Sequence, residues 1–147
     1  MAISAHSPRI PVGLVPDGIT DNRHRVRRRG GLVAVAIAAG MAIVGTVLIW
    51  LPGAIAGVIG FLFINAGLPA LSLAGIPAIS GAGRFLIAVV ASAGAWWTIG
   101  HFAAVRASRR AIVDWTEWRR EFQPLAIGVW VGTILALGVA AFVLGAL

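Results

Sequence analysis

Few side chains in this sequence could perform ligand or redox chemistry, and His101 is the best placed of them. It stands beside a long apolar stretch, in the segment WWTIGH. A haem held between helices usually needs a second axial ligand. The only methionines are Met1 and Met41, and no other histidine lies inside an apolar stretch. We therefore predict no cofactor and interpret His101 as marking the end of a helix at a membrane surface.

The acidic side chains lie where they suit ion pairing better than catalysis. Asp114, Glu117 and Glu121 share a polar segment with Arg110 and Arg120, at spacings that allow pairing on a helix. Coupling to protons or cations usually needs a carboxylate at membrane depth, and the apolar segments contain none. No metal-ligand set, phosphate-binding loop or hydrolase motif accompanies these residues, and cysteine is absent. The sequence predicts a protein that is not an enzyme.

Asn65 is the notable polar side chain of an apolar segment that also contains glycine and proline. Polar groups inside membranes usually face the bundle interior, and Pro69 nearby frees a backbone carbonyl to join them. Asn65 is therefore a possible intramembrane polar site on a transport path. The more common role of a single asparagine is a hydrogen bond between helices.

Small residues recur at every fourth position in two apolar segments. This spacing places them on one face of a helix, where they let two backbones approach closely. Packing drives helix association in lipid, since hydrophobic burial is not available there. The sequence predicts two faces for helix packing or partner docking: a first ladder of Ala34, Ala38 and Ala42, and a second ladder of Gly128, Gly132, Ala136 and Ala140.

The composition indicates a membrane protein. Hydrophobic residues make up 59% of the chain and charged residues 12%, whereas a soluble domain carries about a quarter charged residues. The net charge of +7 does not predict nucleic-acid binding, because the arginines flank apolar segments and do not line a polar surface. Their expected partners are the anionic head groups of membrane lipids.

The chain divides into a flexible, arginine-rich cytoplasmic tail over 1–30 and a transmembrane helical domain over 31–147. Each predicted span has about the 20 apolar residues that a bilayer requires. The second is interrupted by glycine and proline, so it is either a kinked span or a re-entrant segment. Pro124 is expected in the first turn of the last span. The spans are 31–51, 54–75, 85–105 and 125–147.

A short amphipathic helix is predicted over 108–122, between the last two spans. Ala111, Trp115, Trp118 and Phe122 share one helical face there, which would rest among the lipid head groups. The fold class is thus an all-α integral membrane protein with four hydrophobic helical segments and one interfacial helix. Expected anchors at the membrane surface are Arg27, Arg28, Arg29, Trp96, Trp97, Trp115 and Trp118.

The distribution of arginines and the length of the second apolar segment give opposite predictions of whether that segment crosses the membrane. If it re-enters, the six arginines of the tail and the five of 106–120 all face the cytoplasm and only Arg84 is outside, as the positive-inside rule expects. If it crosses, the five arginines of 106–120 are outside. The length of the uncharged stretch favours four crossings, and the charges favour three. We expect four, because hydrophobic length usually forces insertion while the charge rule sets only a preference.

These features predict an accessory or structural subunit of a larger membrane complex in the plasma membrane. Its partners would be other membrane subunits or further copies of itself. The alternative is a self-assembling transporter, lipid flippase or pore, including a holin-like protein, in which Asn65, Ser72 and the glycine and proline breaks line a pathway.

Overall fold

A computed structural model describes residues 16–73, 81–110 and 113–143, all of whose regular structure is helical. Three of its helices are long and apolar enough to cross a membrane, which indicates a membrane protein. The three candidate spans cover Asp21–Trp50, Ala82–Ala107 and Trp115–Val143. In chain order the helices are α1 (Pro16–Trp50), α2 (Ala54–Gly67), α3 (Ala70–Leu73), α4 (Ala82–Ala107) and α5 (Trp115–Val143).

The arginine run predicted to lie in a flexible tail is helical in the structure. Helix α1 begins at Pro16, a position that suits proline because N–H groups of the first turn have no acceptor within the helix. From there it continues without a break into the first span. Val26, within the arginine run, is fully buried together with Ala107 and Val113. The buried Val26 packs this otherwise polar segment against the bundle. The first fifteen residues of the predicted tail lie outside the described residues.

Helices α1 and α4 run antiparallel with their backbones in close contact. Gly30 lies against Ala104, and Ala34, one turn further along α1, lies against Gly100, one turn back along α4. The amino end of α1 and the carboxyl end of α4 therefore meet at one end of the bundle. We call it the arginine end, because ten arginines of the described residues belong to it, from 23–29 of α1 and from 106–120.

Helix α4 begins at the end of the bundle where α1 finishes. Along α4, Ala82 lies about 27 Å from Gly100, and along α1, Trp50 lies about 24 Å from Ala34, at about 1.5 Å per residue. Since Gly100 and Ala34 are in contact, Trp50 and Ala82 are at nearly the same height. We call this the opposite end of the bundle.

Helix α2 starts at the opposite end and stops halfway along α1. Gly60 lies against Gly45 and Ile49, and Gly67 lies against Ala38 and Ala42. Ala38 is about 18 Å from Trp50 along α1, well short of the roughly 30 Å of a hydrocarbon core. Leu68 and Pro69 interrupt the helix there, and α3 follows with only four residues. The predicted span over 54–75 is therefore a helix of fourteen residues, a break and one short turn of helix. Residues 74–80 lie outside the described part of the chain.

The separate interfacial helix predicted over 108–122 is wrong. Residues 108–110 form a turn after α4, and α5 runs from Trp115 straight through Pro124 to Val143. The side chain of Asp114 caps the amino end, where its Oδ1 accepts a hydrogen bond of 2.9 Å from the Glu117 N–H. Pro124 thus lies inside the helix and not in its first turn. Trp118 and Phe122, both buried, pack on α4 and hold the first turns of α5 in line with the rest.

Candidate functional site

The break at Leu68 and Pro69, which we call the mid-height break, is a cluster of hydrogen bonds inside the bundle. Two side chains of α4 supply partners for its backbone. Trp96 Nε1 donates to the Gly67 carbonyl at 2.9 Å, and the Ala70 N–H donates to Ser92 Oγ at 3.1 Å. Trp96 is 2% exposed and Ser92 is fully buried. Irregular backbone at membrane depth needs such protein partners, because no water is there to replace them.

Trp96 was predicted to anchor the protein at the membrane surface, and the structure places it in the interior. Its neighbour Trp97 is 47% exposed and stacks on His101, with ring centroids 5.1 Å apart and planes within 2°. Adjacent residues on a helix point about 100° apart, at 3.6 residues per turn, so only one of the two rings can face the core. Trp97 lies on the outward side of the bundle, and its role as a membrane-surface anchor stays a prediction.

Of the other predicted anchors, some are exposed on the bundle and one is buried inside it. The side chains of Arg27, Arg28 and Arg29 are exposed, and Trp115 is 39% exposed. Trp118 is buried, and its Nε1 donates to the Gly100 carbonyl at 3.1 Å. Its ring also stacks on Phe122, with centroids 4.7 Å apart. Trp118 therefore joins α5 to α4 inside the bundle.

Asn65 is buried, with 5% of its surface exposed, and lies on α2 just before the mid-height break. Its Nδ2 donates to the Phe61 carbonyl one turn back, at 2.8 Å. Of its two predicted roles, the hydrogen bond between helices is not seen among the described residues, because this bond stays within α2. Asn65 also lines a cavity of about 320 Å³ between α1, α2 and α5, together with Met41, Trp130 and Thr133. The rest of the lining is apolar, so the cavity suits hydrocarbon better than an ion.

The first small-residue ladder is used inside the bundle. Ala34 and Ala38 are buried and Ala42 is half-buried. Ala34 faces Gly100 of α4, while Ala38 and Ala42 face Gly67 of α2. One face of α1 thus brings both neighbouring backbones close, as expected of small residues in membrane helices.

The second ladder has nothing against it within the described chain. A Cβ atom built on Gly128 or on Gly132 would meet nothing within 4 Å beyond the adjoining backbone of α5 itself, and Ala136 is exposed. The side chain of Ala140 lies outside the described part of the structure. Large apolar side chains around this ladder, among them Val131, Leu135 and Val139, are also exposed. This face of α5 is apolar, and no other helix of the described residues packs on it.

At the arginine end, ion pairs tie the connector between α4 and α5 to α5, and a hydrogen bond ties it to α1. Arg110 contacts Glu117 at 2.9 Å and Glu121 at 3.0 Å, and Arg23 of α1 donates to the Arg110 carbonyl at 3.1 Å. Arg120 also pairs with Glu117, at 2.9 Å. With Asp114 capping α5, the carboxylates of this segment have structural partners. No three potential metal ligands come together among the described residues.

Comparison with protein-family models, with curated proteins and with solved structures gives no match for this chain.

Proposed function

We propose that this protein is a non-enzymatic subunit of a larger membrane assembly, and that it docks through the second ladder of α5. The two ladders have the same spacing but different surroundings. Ala34, Ala38 and Ala42 are matched by glycines of α2 and α4, while Gly128 and Gly132 face open space. Glycine on a lipid-facing surface leaves a groove that another helix can fill at close range. This unfilled face is the observation on which the proposal depends.

We also propose that the chain crosses the plasma membrane three times, with the arginine end in the cytoplasm. Ten arginines of the described residues lie at that end and Arg84 alone lies at the opposite end, a distribution that the positive-inside rule favours. Under this proposal α2 and α3 re-enter from the outer side. The arginine end then lies among cytoplasmic head groups, where anionic lipids are its natural partners.

The docking proposal is tested by Gly132→Leu, with Gly94→Leu as the matched control. Gly94 on α4 has equally open surroundings, so both variants add the same bulk to an outward face. Gently solubilised wild-type protein should run as a complex of larger mass than one chain with its detergent. Size-exclusion chromatography with light scattering should show the complex lost in Gly132→Leu and kept in Gly94→Leu. A monomeric wild type, or an unchanged Gly132→Leu complex, would reject the proposal.

The cavity beside Asn65 favours a second candidate function, that of a homo-oligomeric transporter or flippase for an apolar molecule. Its lining is mostly hydrocarbon, and the Asn65 amide, the Thr133 hydroxyl and the Trp130 indole are its polar side chains, as a path for lipid tails would need. The same purification separates the two functions. Different co-purifying membrane proteins support the subunit, whereas a homogeneous oligomer that moves lipid between the leaflets of liposomes supports the transporter.

A further inference from the structure

A groove between α4 and α5 at the arginine end combines an apolar floor with two cationic side chains. It has a volume of about 410 Å³ and is lined by Ile99, Phe102, Val105, Arg106, Arg109 and Leu125. Phe102 is 60% exposed, so the groove opens on the outward surface of the bundle. The apolar side chains lie toward the middle of α4, and the arginines lie at its carboxyl end and in the turn that follows.

The two guanidinium groups of this groove are available for a ligand. Arg25, Arg110 and Arg120 each form an ion pair with a carboxylate. Arg106 and Arg109 form none with any carboxylate of the described residues, and both are exposed. Guanidinium groups bind phosphate through paired, charge-assisted hydrogen bonds. The carboxyl end of α4 carries about half a negative charge from its helix dipole, which two arginines outweigh.

The apolar and cationic parts of the groove follow each other as the acyl chain and head group of a phospholipid do, with the head group at the arginine end. From Arg106 to Ile99 the axis of α4 descends about 10 Å, so an acyl chain in contact with Ile99 and Leu125 would place its phosphate near the guanidinium groups. Resting on the proposed membrane insertion, we infer that this groove binds one anionic phospholipid. Phosphatidylglycerol fits this chemistry, because its phosphate brings a net negative charge. Phosphatidylcholine would add a quaternary ammonium group beside two arginines.

The test is native mass spectrometry of the full chain in neutral detergent, titrated with phosphatidylglycerol or with phosphatidylcholine. The wild type should bind phosphatidylglycerol more tightly than phosphatidylcholine. The double variant Arg106→Gln/Arg109→Gln should weaken its apparent affinity about tenfold or more, because the phosphate loses its charge-assisted hydrogen bonds to both guanidinium groups. The double variant Arg27→Gln/Arg28→Gln removes the same charge outside the groove and should retain most of the binding.

Two further measurements separate a lipid site from a phosphate site. Leu125→Trp fills the apolar part of the groove and keeps both arginines, so it should also weaken phosphatidylglycerol binding. Glycerol phosphate, which has the head group and no acyl chain, should not compete. Equal losses in the two double-arginine variants would overturn the inference, as would competition by glycerol phosphate. Recovery of the wild type outside the membrane fraction would instead reject the proposed function.

Discussion

Trp96 and Ser92 are the side chains that make the mid-height break stable. Proline at position 69 has no N–H, and the hydrogen-bond ladder of α2 ends with the bond from the Leu68 N–H to the Ile64 carbonyl, so backbone groups next to this break lose their usual helical partners. The indole N–H and the serine hydroxyl of α4 replace two of those partners. Ser72 adds a third bond, from its Oγ to the Pro69 carbonyl at 2.8 Å. Three side-chain hydrogen bonds therefore stabilise the backbone of the break.

We expect Trp96→Phe to lower the free energy of unfolding by about 1 to 2 kcal/mol, because the buried Gly67 carbonyl loses its donor while an aromatic ring remains. Thermal unfolding in detergent micelles, followed by circular dichroism, measures the change. Trp97→Phe is the control, since the same substitution at a half-exposed ring removes none of the described hydrogen bonds. Equal melting temperatures for the two variants would contradict this role of Trp96.

At the scale of the helices, close approach of glycine and alanine faces joins α1 to its two neighbours. An atom added at Gly100 would collide with Ala34 and with the Gly30 carbonyl, and one added at Gly67 would collide with the Ala38 carbonyl. These faces allow the backbones to touch, and dispersion contacts then provide the association energy in lipid. The glycines of α4 and α5 without such neighbours face outward.

Gly100→Ala should destabilise the bundle by about 1 to 3 kcal/mol, because the added methyl group has no room unless α1 and α4 move apart. Gly94→Ala places the same methyl group in open space on the same helix and should leave stability unchanged or slightly raised. Chemical denaturation in mixed micelles can compare the two variants. A Gly100→Ala protein as stable as Gly94→Ala would show that the contact between α1 and α4 is looser than described.

Two prolines show why helix breaks are hard to predict from sequence. Pro69 ends a helix and Pro124 lies inside one, although both follow an apolar or amphipathic helical pattern. The difference comes from their neighbours. Side chains of α4 compensate the freed backbone at Pro69, whereas Trp118 and Phe122 fix α5 against α4 just before Pro124. The spacing of residues along the chain does not show which helix packs beside each proline.

For the whole molecule, the order of the helix ends brings the two arginine-rich segments together. The 18 Å or so that α2 covers along α1 is too short to cross, and α4 starts where α1 ends. This arrangement fits the three-crossing alternative better than the four crossings that hydrophobic length favoured. The uncharged stretch is long enough to span, but its described part is a helix that ends at mid-height, followed by a short turn of helix bonded to α4.

Because the chain has no cysteine, single cysteines can report the topology without background. In intact cells, a membrane-impermeant maleimide should label Leu51→Cys and Ala82→Cys from outside. His24→Cys and Thr116→Cys should react only after the cells are opened, and the cysteine-free wild type is the control. Labelling of Ala82→Cys only in opened cells would support four crossings and reject the re-entrant arrangement.

The sequence by itself determined the membrane class, the three long apolar helices and the position of Asn65 in an interrupted segment, because hydrocarbon excludes charge and requires helices of sufficient length. Only the tertiary structure decided that Trp96 and Trp118 are interior, that the first ladder is paired while the second is open among the described residues, and that α2 ends at mid-height. Each of these depends on which helix face meets which neighbour. Periodicity along one helix defines its faces, but contacts between helices choose among them.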